Sequence, residues 1–114
     1  MKSISLKIVP LCDDYGKPIV GKGPNGEDVP ATLDYRKQLI AIVKQPLDPK
    51  GMDIAEVEAS LRVLAVLRAA EAMKTCQLED ADYAHLMQKV QLQRWAVATQ
   101  EILTFVADIG SASG

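Results

Sequence analysis

MDIAEVEASLRVLAVLRAAEAM, residues 52–73, decides how the rest of the chain is read. It opens with the signals of a helix start: Asp53 stands at an N-cap position, Glu56 follows as in a capping box, and Met52 and Val57 occupy the positions of a hydrophobic staple. Glu58 and Arg62 form an i, i+4 pair in the favourable order. No proline or glycine interrupts the run, so the spacing predicts a helix of about 21 residues, roughly 32 Å long. A compact domain of this chain length has a radius of gyration of only about 13 Å, so such a helix crosses nearly the whole body and is its central element. From Leu61 onward, Leu61, Val63, Leu64, Val66 and Leu67 make it apolar around most of its circumference. That surface is covered either by neighbouring elements or by a second chain.

Working towards the N-terminus, Thr32 and Asp34 begin an earlier helix. Thr32 is the expected cap, and Tyr35, Leu39, Ile42 and Val43 form its apolar stripe. Pro46 stops this helix near Lys44, and QPLDPKG is a stiff connection. Earlier still, Ile4, Leu6 and Ile8 alternate with Ser3, Ser5 and Lys7, the period of a strand with one buried face. The turn formers Asp13-Asp14-Tyr15-Gly16 and the β-like Pro18-Ile19-Val20 follow, predicting a hairpin of about 4–11 with 17–21. The segment GKGPNGEDVP reads as a turn or loop. A phosphate cradle needs a helix immediately after the glycines, and here Glu27, Asp28 and Pro30 intervene.

Towards the C-terminus, Thr75 to Leu78 breaks the helical pattern. LEDADYAHL then opens another helix with Glu79, Asp80 and Asp82 at its positive end, and Tyr83, Leu86, Met87 and Val90 on its buried face. From Trp95 the stripe moves to Ala98, Ile102, Phe105 or Val106, and Ile109, with a phase slip between Val97 and Ile102. One straight helix over 80–109 measures about 45 Å, longer than the expected domain. The span therefore either bends near Arg94 to Val97 or projects to meet another chain, and Gly110 ends it.

These elements predict a single domain over residues 1–114 of α+β class, mainly helical. A β-hairpin and loop (1–31) pack on a bundle of three to four helices (32–110), followed by a small polar tail (111–114). With 48% hydrophobic but only 4% aromatic residues, the core is built from aliphatic side chains. A formal charge of −2 gives no basic excess for binding phosphates, so nucleic acid is disfavoured. No apolar run reaches the roughly 18 residues of a membrane span, and the first residues lack the apolar block of a signal peptide. The expected location is the cytoplasm, with Cys12 and Cys76 as reduced thiols.

Catalytic chemistry is sparse. His85 is the single histidine, which excludes a multi-histidine metal cluster, and it is expected on a solvated helix face beside Asp82. The carboxylate pairs Asp13-Asp14, Glu27-Asp28 and Glu79-Asp80 fall in turns or at a helix start, where nothing raises a carboxyl pKa for acid catalysis. No catalytic residue, metal, cofactor or small-molecule substrate is expected. The remaining candidates are residues for contact with protein: Val63, Val66, Arg94, Trp95, Ile102 and Phe105, Arg-Trp being a common hot-spot combination.

The N-terminal hairpin, the capped helix ending in apolar repeats, LEDADYAHLMQKV, the Arg94-Trp95 pair and the terminal ILTFVADI together resemble small accessory proteins of tailed phages and prophages. The resemblance implies a non-enzymatic role in morphogenesis or host regulation and carries over no site residue. The leading expectation is thus an interaction or assembly module that self-associates through its helices or binds another protein. The alternative is a small regulator that binds a host protein, or nucleic acid through Lys17, Lys22, Lys89 or Arg94.

Overall fold

The computed structural model describes residues 1–12, 15–95 and 98–112. Along it run strands β1 (Lys2–Ser5), β2 (Ile8–Pro10), β3 (Val20–Lys22), β4 (Asp28–Pro30) and β5 (Thr32–Asp34), helices α1 (Tyr35–Val43) and α2 (Ile54–Ala69), strand β6 (Thr75–Leu78), and helices α3 (Asp80–Leu92) and α4 (Gln100–Gly110). The α+β class holds, with four helices and small antiparallel strand pairs among the described residues.

The run at 52–73 starts where the sequence says: the Asp53 carboxylate accepts the Glu56 N–H at 2.8 Å. It ends earlier, at Ala69, and Ala72 adopts φ 65°, the left-handed conformation that usually falls to glycine. Thr75–Leu78, expected only as a break, is strand β6. Its Cys76 and Leu78 turn inward, and it pairs antiparallel with β1, Ile4 lying opposite Cys76.

The expected hairpin of 4–11 with 17–21 is not the pairing observed. After Leu6 donates its N–H to the Lys74 carbonyl, the first strand changes partner, and β2 pairs with β5. Only the distal end of the expected hairpin survives, as the bond from Ile19 N–H to the Leu11 carbonyl and a bridge between Cys12 and Pro18. Its turn residues Asp13 and Asp14 lie outside the described residues. GKGPNGEDVP holds the expected turn, at 23–27, and also most of the two strands it joins, β3 and β4. Gly26, at φ 80°, donates to the Gly23 carbonyl at 3.0 Å across Pro24-Asn25.

The ribbons meet at a cyclic junction. Leu11 N–H donates to the Ala31 carbonyl (3.0 Å), Ala31 N–H to the Ile19 carbonyl (2.8 Å), and Ile19 N–H to the Leu11 carbonyl (2.9 Å). Three arms radiate from this triangle: the β2–β5 ribbon, the β3–β4 ribbon and the Cys12–Pro18 bridge. Only the β2–β5 arm leads back to the helices, so the described residues between 11 and 31 form a forked head. The radius of gyration, 15.1 Å, exceeds the roughly 13 Å of a compact domain of this length, as a projecting head requires.

The core lies between α1, α2, α3, α4 and the inner face of β1–β6. Tyr35, Leu39, Ile42, Val43, Val63, Leu67, Leu78, Leu86, Phe105 and Ile109 are all buried there. Asp34, and not Thr32, caps α1 by accepting the Lys37 N–H, while Thr32 belongs to β5. The 80–109 span is two helices, α3 ending at Leu92 and α4 beginning at Gln100. Val97, at one end of the expected phase slip, lies outside the described residues, as do tail residues Ser113 and Gly114. No helix among the described residues is long and apolar enough to cross a membrane.

Replacing Ala72 by glycine removes the left-handed penalty at the end of α2. We expect Ala72→Gly to raise the unfolding free energy by about 0.5–1 kcal/mol in urea titrations, where glycine in a helix interior lowers it by a similar amount.

Candidate functional site: a contact surface and a buried clasp

Of the six contact candidates, Val63 and Phe105 are 0% exposed and belong to the core of a single chain. Their apolar spacing cannot distinguish a buried face from a docking face, and here other elements of the same chain cover it. Val66, Trp95 and Ile102 are half-buried, and Arg94 is exposed. Trp95 packs edge-on against Phe105 (6.0 Å between ring centres), which in turn meets Tyr35 edge-on at 4.8 Å. Trp95 and Phe105 therefore form one stack, whose deeper rings are core. Arg94 and Val66 do not join it. Leu61, where the apolar run begins, is 56% exposed.

Tyr35 also ties this stack to α4: its hydroxyl donates to Asp108 at 2.7 Å, and Lys7 reaches the same carboxylate oxygen at 3.3 Å. Burial, then the hydrogen bond and the negative charge of Asp108, push the Tyr35 pKa up to about 12.

Val66 lines an apolar groove of about 440 Å³ with Ala69, Ala70, Met73, Thr75, Cys76 and Gln77. The register explains the position of this groove. Because Leu6 and Lys74 share a hydrogen bond, Cys76 and Leu78 bond towards β1, so the backbone groups of Thr75 and Gln77 point to the opposite edge. Among the described residues no strand pairs with that edge. In the head, Tyr15 (88% exposed), Val20 (54%) and Val29 (41%) present apolar side chains to solvent. Strands β3 and β4 are exposed at every position.

A polar cluster lies between α1, α2 and α3. Lys89, a candidate phosphate contact in the alternative reading of the sequence, has a side chain only 2% exposed. Its ammonium lies 2.9 Å from the Val43 carbonyl, 2.7 Å from the Gln45 carbonyl and 3.0 Å from both Glu56 Oε2 and Ser60 Oγ. Glu56 does not close the expected capping box: its carboxylate turns from Asp53 to accept Lys89 and, at 3.0 Å, the Leu47 N–H. Arg62, likewise, pairs with Asp82 of α3 at 3.1 Å and leaves the expected partner Glu58. His85 does not bond Asp82; its Nε2 lies 3.0 Å from Ser60 Oγ.

A serine beside a lysine and a histidine invites a nucleophilic reading. Ser60 is only 4% exposed, however, and the cavity beside Lys89, lined by Ile42, Gln45, Pro46, Leu47, Leu92 and Gln93, has a volume of about 30 Å³, enough for roughly one water. A base must also be within reach of a substrate, and this serine faces packed helix. The cluster is a structural clasp. Among the described residues no group of three or more His, Cys, Asp or Glu is placed to hold a metal ion.

No protein-family model, curated protein or solved structure matches this chain.

Because folding raises the Tyr35 pKa, its contribution to stability is present below the unfolded value of 10.0 and is lost as pH rises towards about 12. Absorbance titration should show one of the three tyrosines ionising near 12. Asp108→Asn should bring that transition down towards the ordinary range; an unchanged titration would remove Asp108 as a cause.

Proposed function

We propose that this protein is a non-enzymatic interaction module that self-associates, working in the cytoplasm as an accessory factor in phage or prophage morphogenesis. The observation that supports this reading is the forked head. A two-stranded ribbon alone is marginally stable in water, and unpaired strand edges are ready templates for another chain. Here β3 and β4 project with exposed Val20 and Val29, and no other strand covers their edges among the described residues. The buried core, by contrast, is already filled within one chain. The contact surface we propose therefore moves from the helix core to the head, with the open edge of β6 and the Val66 groove as a second surface.

A regulator that binds nucleic acid has less support. Lys22 pairs with Asp28, and Lys89 is buried in the clasp. Neither of these lysines is left for a phosphate.

Light scattering at micromolar concentration should give a mass above that of the 12.4 kDa chain. Val20→Lys with Val29→Lys should return the monomer mass and leave the thermal midpoint within a few degrees, as for exposed positions away from packing. A monomeric native chain would overturn self-association; an oligomer unaffected by the pair of lysines would remove the head from the contact.

A further inference from the structure

The contacts around Ser60 make the clasp sensitive to one proton. An ammonium has three N–H donors, and Lys89 Nζ has four oxygen neighbours within 3.0 Å: the Val43 and Gln45 carbonyls, Glu56 and Ser60. Of those oxygens only the Ser60 hydroxyl carries a proton of its own. That proton needs an acceptor, because Ser60 is only 4% exposed and a buried donor without one costs free energy. The acceptor within reach is His85 Nε2, at 3.0 Å. We assign the ring as neutral, with its proton on Nδ1, the form in which Nε2 can accept.

We propose that His85 is a proton-operated release for the Lys89 clasp, which loosens the α1–α2 connection on mild acidification. Protonated, Nε2 becomes a donor. The Ser60 hydroxyl then faces donors from both Lys89 and His85 and loses the acceptor for its own proton in a buried site, an arrangement that costs free energy. The charges facing the ring add to this. Lys89 on its own helix and Arg62 on α2 oppose a second positive charge there, and Glu56 and Asp82 favour one. Both carboxylates are already engaged, Glu56 by Lys89 and Leu47, Asp82 by Arg62. Burial is the largest influence and Lys89 the next, and the net effect holds the His85 pKa below its ordinary 6.5.

The part set free is defined by what the clasp holds. Lys89 binds the carbonyls at the end of α1, and Glu56 binds Leu47 N–H in the connection to α2. Weakening Ser60 loosens this end, and the small cavity beside Leu47 and Leu92 widens. The sign follows from linkage. The unfolded chain binds the proton more readily than the folded one, so the contribution is complete above about pH 6.5 and is lost as pH falls through the depressed folded value.

The test is amide exchange at Leu47, expressed as a protection factor to remove the intrinsic pH dependence, with the His85 ring followed by NMR. Between about pH 7.5 and about pH 5 the native protein should lose at least about fivefold protection at Leu47, and the ring should titrate below 6.5. His85→Gln should change less than about twofold over the same range, because its amide cannot gain a proton. An equal loss in His85→Gln, or a ring that titrates at or above 6.5, would overturn the proposal. Both readouts are independent of self-association.

Discussion

One ammonium group, Lys89 Nζ, joins three helices. It rises from α3, neutralises Glu56 of α2, and binds the Val43 and Gln45 carbonyls at the exit of α1. A buried charge is tolerated only when its donors are fully engaged, and removing one member of such a pair commonly costs about 3–5 kcal/mol, because the other is left uncompensated. The position is also favourable for the helix dipole: a cation stands at the C-terminal end of α1, where the carbonyls lack intrahelical partners. Glu56 extends the constraint to the 44–53 connection by accepting the Leu47 N–H.

The same device recurs elsewhere in the body. Arg36 of α1 donates to the Leu67 carbonyl in the last turn of α2 at 2.8 Å, and Tyr83 of α3 donates to the Ile109 carbonyl of α4 at 2.7 Å. Three helix ends are therefore satisfied by side chains from other helices. These contacts fix crossing positions in a core of mainly aliphatic side chains, which by themselves allow helices to slide. With the body locked in this way, the head can depart from it on a single β2–β5 ribbon.

This explains what is legible in the sequence. Helix starts are local: Asp53 caps within its own first turn, and the α1 stripe of Tyr35, Leu39, Ile42 and Val43 is buried as its spacing says. Helix ends are not local here. α2 stops at Ala69 without a glycine, against Arg36, far away in the chain, and with Ala72 in a conformation its residue type does not announce. Strand β6 is hidden for a related reason, since its short alternation of Cys76 and Leu78 becomes a strand only by pairing with β1 at the other end of the chain. The first strand's change of partner at Leu6–Lys7 leaves no local mark either. Among the contact candidates, apolar type finds Val63 and Phe105 but cannot say that they face inward. Lys89 and Glu56 are visible only as ordinary helix charges, and a lysine three residues after Leu86 gives no sign of burial until three helices are assembled around it.

If the clasp orders the body, Lys89 and Glu56 must depend on each other more than either depends on its own packing. The direct measurement is a double-mutant cycle in urea at neutral pH, using Lys89→Met, Glu56→Gln and the pair. The expected coupling free energy is about 2 kcal/mol, with the double variant more stable than the sum of the single losses implies. Coupling within about 0.5 kcal/mol of zero, as for independent distant sites, would contradict the clasp as the interaction on which the fold depends.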